Sequence, residues 1–385
     1  MSGRGHITRR GTKSWRLKFD VGTNPSTGKR LTRFVTVRGT KKQAQAELAR
    51  LLAAHDANTL VEPSKTALAD YIRRWVETAE TLNLSLKTAE RYRQLIERQI
   101  VPHLGGLPLQ KLKPVHVANW HATLLKAGGH DGGPLSPRTV GHAHRVLHKA
   151  LTDAVRHELL TRNPASVVSP PRVTAEEIDI LSADQVKAVL AAMRTTSIYP
   201  QVVVLLGTGM RRGELMGLQW GDIDLESGKL RIERAVEKTK AHGLRLKAPK
   251  TRHGRRTISL PAGAIEVLKA HRRAQLELRV ALGVGNLPTD AFVFGTVEGK
   301  PRDPDRITQD WKRFAAKHGL PRVTLHALRH CHASALIASG ADPVTVSRRL
   351  GHGSPVITMS VYAHLFDCSD EAAAKAIDAV LKIAD

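Results

Sequence analysis

The stretch "TRNPASVVSPPRVTAEE", residues 161–177, constrains the fold more than any other in the chain. Pro164, Pro170 and Pro171 sit in a polar setting that cannot continue a helix or a central strand, so the chain is expected to fold as separate bodies joined here by a linker. The two sides differ in pattern. Before it, "SWRLKFDV" alternates, with Trp15, Leu17, Phe19 and Val21 on one face and Arg16, Lys18 and Asp20 on the other, as a half-buried strand does. "GTNPSTGKR" is turn chemistry, "LTRFVTVRG" is a second alternating strand, and Thr40 caps "KKQAQAELARLLAAH", whose Ala44, Leu48, Leu51 and Leu52 form one helical stripe. "NTLVEPSK" then reads as a short connection.

From Thr66 to about Asn163 the period is helical. Leu68, Ile72 and Trp75 share a face, Tyr92, Leu95, Ile96 and Gln99 continue a second helix that stops at "VPHLGG", and Pro114 opens a third with Val117, Trp120 and Leu124. Ser136 and Pro137 start a long helix with Val140, Leu147, Leu151 and Ala154 inward. Beyond the linker the pattern is mainly helical with one small antiparallel sheet formed by "KLRIERAVEK", "GLRLKAP" and "RRTISLP". The fold class expected is multidomain, mainly α with small antiparallel sheets (α+β).

Charge supplies the first functional clue. There are 60 Lys plus Arg against 35 Asp plus Glu, a net charge of +25 and a pI near 10.5. A surplus of that size draws in polyanions, nucleic acid above all. It is spread over the body: residues 1–60 carry 13 basic and 3 acidic side chains, whereas residues 366–385 carry 2 and 5. Cys331 and Cys368 are too few for a disulfide framework, and no run approaches the ~18 apolar residues that span a bilayer. A soluble, cytoplasmic protein with no membrane partner is expected.

Familiar catalytic signatures are missing: there is no G-x-S-x-G elbow, P-loop, H-E-x-x-H or paired-carboxylate cluster. His144 and His148, four apart on a helix, have metal-ligand spacing but no nearby carboxylates or cysteines, and no metal is expected. In "HALRHCH", Arg329 stands between His326 and His330 on one helical face, where a cation repels a metal but a guanidinium fork suits a phosphate. "TGMRRGEL" offers a second fork: Gly209 permits a tight turn, Arg211 follows it, and Glu214 is placed to hold an arginine or histidine. "PKTRHGRR" is a basic hairpin turn carrying Lys250, and in "LGHGSPVITMSVYAH" Ser354 and Pro355 start a short helix that carries Tyr362, one of four tyrosines.

Taken in order, "TGMRRGE", "PKT", "HALRH", "LGH" and "VYAH" resemble the tyrosine recombinases, also called the phage integrase family. Upstream, "SLKTAERYRQLIERQIVPHLG" is similar to that family's helical core-binding domain, and the N-terminal strands to the arm-binding domain of integrases from phages and integrative elements. The resemblance implies an arm-type DNA-binding domain of three strands and a helix at 1–60, a SAM-like core-binding domain at 64–165, a linker at 166–177 and a catalytic domain at 178–385 ending in an exchange helix. It implies that Tyr362 attacks phosphorus, that Arg211 and Arg329 neutralise the non-bridging oxygens with His326 and His352 as further donors, that His326 is the base and Lys250 the general acid. Glu214 and His330 are expected to support the basic cluster from behind. Arg16, Lys18, Arg33, Arg252 and Arg255 are the expected DNA contacts elsewhere. A 3′-phosphotyrosine linkage conserves bond energy, so the resemblance implies no cofactor, no ATP and no metal.

The implied partners are double-stranded attachment sites, three further protomers in a homotetramer on DNA, and a directionality factor or DNA-bending host protein, all in a bacterial cytoplasm or nucleoid. Two other readings share the fold: a type IB topoisomerase-like enzyme and a non-catalytic DNA-binding regulator. The complete set of Arg211, Lys250, His326, Arg329, His352 and Tyr362 speaks against the regulator.

Overall fold

The computed structural model describes residues 5–23, 26–56, 61, 63–82, 84–174, 180–249, 254–320, 323–366 and 377. The protein is mostly helical with small antiparallel sheets and divides into two compact units, Met1–Thr174 and Ala175–Asp385.

The first unit begins with strands β1 (Gly5–Gly11), β2 (Ser14–Thr23) and β3 (Arg30–Arg38), antiparallel and in that spatial order, followed by helix α1 (Lys41–Asp56). Alternation buries Leu17 and Phe19 of β2 with Ala44 and Leu51 of α1. The other face carries cross-strand rows His6–Lys18–Phe34 and Thr8–Arg16–Thr36. On it the Arg16 guanidinium lies 4.0 Å over the ring of Phe34, which is half exposed. Arg33 does not belong to this face: it pairs with Phe19 and is in phase with Val35 and Val37, so the period of two turns it to the α1 side. β1 has a single large apolar residue, Ile7, which is why alternation does not reveal it.

Helices α2 (Leu68–Leu82), α3 (Leu86–Leu95), α4 (Val101–Leu104), α5 (Pro114–Ala127) and α6 (Pro137–Arg156) share a second core that includes Leu68, Ile72, Leu124, Leu147 and Leu151. Between α3 and α4 the backbone widens into a π turn at Ile96–Ile100, two residues before Pro102, which has no N–H to give its own turn. Ser136 caps α6 through its hydroxyl, accepting from the Thr139 N–H at 3.3 Å. Polar atoms of the buried aromatics are satisfied: Tyr71 donates to the Ala150 carbonyl (2.7 Å) and Trp120 to that of Gln99 (2.7 Å). His144 is buried against His121, with Nδ1 3.2 Å from His121 Nε2, while His148 reaches the Ser166 hydroxyl. One nitrogen of each imidazole is thus engaged, by a second imidazole or by a hydroxyl.

The second unit runs α7 (Ala183–Ala192), α8 (Tyr199–Thr208), α9 (Arg212–Met216), β4 (Ile223–Asp224), β5 (Lys229–Ile232), β6 (Ala235–Thr239), β7 (Gly243–Lys247), β8 (Arg256–Ser259), α10 (Ala262–Ala281), α11 (Pro304–Lys317), α12 (Ala327–Ala338), α13 (Pro343–Leu350) and α14 (Pro355–Tyr362). Among the described residues two sheets replace the single one expected: β4–β5–β8, and the hairpin β6–β7. "KLRIERAVEK" is not one strand, because it breaks at Glu233 and Arg234, where Arg234 turns to an ion pair with Asp222. Helix α10 was not legible from periodicity: Ala264 and Leu268 are buried, but Leu276, Leu278 and Val280 are exposed, so its apolar residues form no stripe.

A large core around Trp311, Met193 and Met210 supports the unit, and a smaller one joins α12, α13 and α14 through Ala333, Ile337, Val346, Leu350 and Tyr362. Among the described residues no helix is long and apolar enough to cross a membrane. The exchange helix expected at the end of the catalytic domain falls on residues beyond Phe366, which lie outside the described residues except for Ile377.

Candidate active site

The site is assembled from loop-to-helix junctions of the second unit. Helix α8 ends on Gly209 at φ +64°, where a Cβ would sit 2.5 Å from Cδ2 of His332 and 2.8 Å from Leu350, so both conformation and space require glycine. Two residues later Arg211 caps α9. Its backbone N–H donates to Glu214 Oε2 (2.9 Å), its Nη1 donates to Oε1 (2.9 Å), and its Nη2 donates to the Gly351 carbonyl (3.1 Å).

The same carboxylate takes a second guanidinium. Arg256 donates from Nη2 to Glu214 Oε2 at 2.9 Å and from Nε to the Arg349 carbonyl at 2.8 Å. Sequence reasoning missed this residue by taking "PKTRHGRR" as a basic hairpin turn, although it also falls in the strand "RRTISLP". The signal was there: Arg256 is in phase with Ile258 and Leu260, both buried, whereas Arg255 is out of phase and exposed, 3.7 Å from Glu233. Burial pushes the Glu214 carboxyl up, but its bonds and charge contacts with Arg256 and Arg211 outweigh that and hold it below the usual carboxylate range.

Helix α12 contributes His326 at its N-terminus and Arg329 and His330 one turn on. Arg329 is 4% exposed; Nη1 donates to the Gly209 carbonyl at 2.6 Å, and Nη2 is buried with no partner among the described residues. Burial, then the charge of Arg211, pulls its pKa down to about 10, against an opposing pull from Glu214. His332, three residues after Arg329 on α12, is a brace: Nδ1 donates to the Leu206 carbonyl (2.7 Å) and Nε2 accepts from Arg349 Nε (3.0 Å), while Arg349 Nη2 donates to the carbonyls of Gly207 and Ser259. The brace ties α12 and α13 to the end of α8 that positions Arg211.

Gly351, at φ +70°, ends α13, and His352 follows with Nδ1 2.8 Å from the buried Thr358 hydroxyl. Burial, Arg329, Arg211, Arg256 and His330 bring its pKa down to about 4. Ser354 caps α14, accepting from the Val356 N–H at 3.2 Å, with Pro355 as first helical residue. Two turns on, Tyr362 is 2% exposed, and its hydroxyl is 2.7 Å from Nδ1 of His330. Burial raises the phenol to about 12 against the favourable charge of Arg329. His326, whose packed surroundings and then Arg329 and Arg211 also lower its pKa, meets His330 edge to face with ring centroids 5.1 Å apart. The partner that the structure gives the Tyr362 hydroxyl is therefore His330, a turn beyond the His326 expected.

Arg211, Glu214, His326, Arg329, His330, His352 and Tyr362 are thus in one place. Lys250 and Arg252 lie outside the described residues; the hairpin ends that flank them, with Arg211 and Glu214, line a cavity of about 410 Å³. Arg16 and Lys18 belong to the first unit. Three guanidinia, those of Arg256 and Arg329 buried and that of Arg211 open to solvent, surround one carboxylate and leave two positive charges next to a hydroxyl. Such a pocket can take a phosphodiester anion and present an oxygen nucleophile to it.

Comparison with known proteins agrees with that chemistry. Residues 179–368 match the phage integrase family, residues 67–125 match the phage integrase N-terminal SAM-like domain, and the chain belongs to this family. It is 27% identical to a XerC-like tyrosine recombinase of Caldanaerobacter subterraneus subsp. tengcongensis, over 95% of this chain and 96% of that one. It is 26% identical to the ICEBs1 integrase of Bacillus subtilis, over 95% and 97%. Among solved structures, a Tn1549 transposon integrase in complex with a circular intermediate DNA shares its fold with a TM-score of 0.69 at 20% identity, covering 82% of this chain and 99% of that one. A lambda integrase tetramer bound to a Holliday junction does so with a TM-score of 0.58 at 16% identity, covering 94% and 95%.

Proposed function

We propose that this chain is a site-specific DNA recombinase that integrates or excises a mobile element by cutting and rejoining DNA through a 3′-phosphotyrosine intermediate on Tyr362. The observation that carries the reading is Arg329: a buried guanidinium with an Nη that has no partner among the described residues, in a cluster where Glu214 pairs with both Arg211 and Arg256, beside a buried tyrosine hydroxyl. A buried charge left uncompensated costs several kcal/mol, roughly, unless an anion completes the site. A phosphodiester is such an anion.

In this reading Arg211 and Arg329 hold the non-bridging oxygens, His326 and His352 add donors, and Glu214 keeps Arg211 and Arg256 in place. Tyr362 attacks phosphorus, and Lys250 protonates the departing 5′ oxygen. The phosphotyrosine bond stores the energy for rejoining, so neither ATP nor a metal enters. Residues 1–60 bind arm-type sites through the Arg16 and Lys18 face, residues 64–165 clasp the core site, 166–177 link them to the catalytic residues 178–385, and the segment beyond Phe366 docks on a neighbour. Four protomers act together, as the lambda integrase tetramer on a Holliday junction supports, with a directionality or DNA-bending protein as accessory, in the bacterial cytoplasm or nucleoid.

The test is recombination between two plasmid-borne attachment sites in EDTA and without ATP. Recombinant products support the reading. Relaxation of any supercoiled plasmid regardless of sequence would instead favour a topoisomerase, cleavage that needs added Mg²⁺ a nuclease, and binding without cleavage a regulator.

A further inference from the structure

We propose that His330 is a catalytic residue of this site: it holds the Tyr362 hydroxyl in the empty enzyme and takes its proton once the phosphodiester is bound. This rests on the reading of Tyr362 as the nucleophile.

The geometry sets His330 apart from the other imidazoles. Its Nδ1 is 2.7 Å from the Tyr362 oxygen, and the two rings pack at 5.5 Å between centroids. His352 spends its Nδ1 on Thr358, His332 is occupied by Leu206 and Arg349, and His326 stacks its ring edgewise against His330. Because Tyr362 is almost fully buried, water is a poor recipient for its proton, and a base within hydrogen-bond reach has to serve.

The groups that face His330 explain why the transfer waits for DNA. His326 and Arg329 come from its own helix, Tyr362 from α14 and His352 from the loop before it. Burial, His326 and Arg329 hold the empty-site imidazole down to about 4, so it is neutral at pH 7 and has a lone pair to offer. A phosphodiester beside Arg329 cancels much of that repulsion and raises the proton affinity of the ring, just where attack requires it. The Tyr362 O–H bond then breaks, its proton goes to Nδ1, and the oxygen lone pair forms the bond to phosphorus. The bond from phosphorus to the 5′ oxygen breaks, and that oxygen takes a proton from the general acid. On rejoining, His330 returns the proton to the tyrosine.

The experiment follows single-turnover covalent-complex formation by the full chain between pH 6 and 9.5, on a nicked duplex carrying the junction of the element's circular form. His330→Ala is expected to lower the rate at pH 7 by about 100-fold or more, with the deficit shrinking as pH rises. His330→Gln keeps a hydrogen-bond acceptor but no base, and is expected not to restore it. A wild-type rate in His330→Ala, or full rescue by His330→Gln, overturns the proposal; the second would leave a positioning contact only. Folding of the variants is checked by DNA binding. Independently, the ¹⁵N resonance of His330 Nδ1 in the unliganded chain is expected to shift in Tyr362→Phe; an unchanged resonance also overturns the proposal. A wild-type chain that forms no complex at all refutes the recombinase reading itself, an outcome distinct from a fully active His330→Ala.

Discussion

Arg256 and Glu214 form a buried two-point ion pair: Nη2 and Nη1 lie 2.9 and 3.4 Å from the two carboxylate oxygens, with side chains 7% and 6% exposed. The pair anchors strand β8 to the start of α9, and Arg256 also passes within 2.6 Å of where a Cβ on Gly351 would be. Glu214→Gln leaves Arg256 buried without its counter-charge and is expected to destabilise the chain by about 3–5 kcal/mol. Urea denaturation measures this; an unchanged midpoint would mean that water or backbone carbonyls suffice for Arg256.

Acid should weaken the fold in two stages. His332 and His144 are buried with pKa values down to about 4, chiefly by desolvation, so the unfolded chain binds their protons first. The stability they contribute is complete above their unfolded value of 6.5 and is lost as pH falls from there through about 4. For His332 that loss is on the order of 2–3 kcal/mol, because a protonated ring would point Nε2–H at Arg349. Glu214, held below its ordinary 4.5, adds a further loss below that pH. Urea midpoints at pH 8, 6.5 and 5 are expected to fall in that order, and His332→Gln is expected to flatten the drop between 6.5 and 5.

Arg329→Ala and Arg211→Ala are expected to retain DNA binding and to cut at least about 100-fold more slowly, as loss of a preorganised cation at a charged transition state implies. Gel-shift affinity and single-turnover cleavage, measured on the same variants, separate the two effects. Equal losses in binding and cutting would make the arginines simple anchors.

The open face of the N-terminal sheet gives a prediction with an internal control. Arg16→Ala and Lys18→Ala are each expected to lower the slope of log affinity against log salt by about 1 on arm-type DNA. Arg33→Ala, on the α1 side of the same sheet, is expected to leave the slope as it was. A reduced slope in all three would mean that the DNA does not distinguish the two faces.

What the sequence made legible was local. Gly209, Ser136, Ser354 and Pro355 announce their caps from immediate neighbours, and the spacing of His326, Arg329 and His330 puts them on one helical face. What it hid depends on packing between distant segments. His330 and Tyr362 are 32 residues apart, and their bond exists because α12 and α14 share a small core; periodicity in either helix says nothing of it. Arg256 was readable from the alternation of β8, but a run of basic residues at a turn looks like surface until the strand's buried partners are known. The break between β5 and β6 likewise depends on Asp222, twelve residues before Arg234.

The central claim is that Tyr362 becomes covalently joined to DNA. The full chain is incubated with the nicked junction duplex labelled on the 3′ side of the cleavable phosphate or on the 5′ side, resolved on a denaturing gel, and the protein–DNA adduct mapped by proteolysis. The expected result is an adduct through the 3′ phosphate on the peptide that contains Tyr362, abolished in Tyr362→Phe. An adduct that survives Tyr362→Phe, or one joined through a 5′ phosphate, would contradict the account.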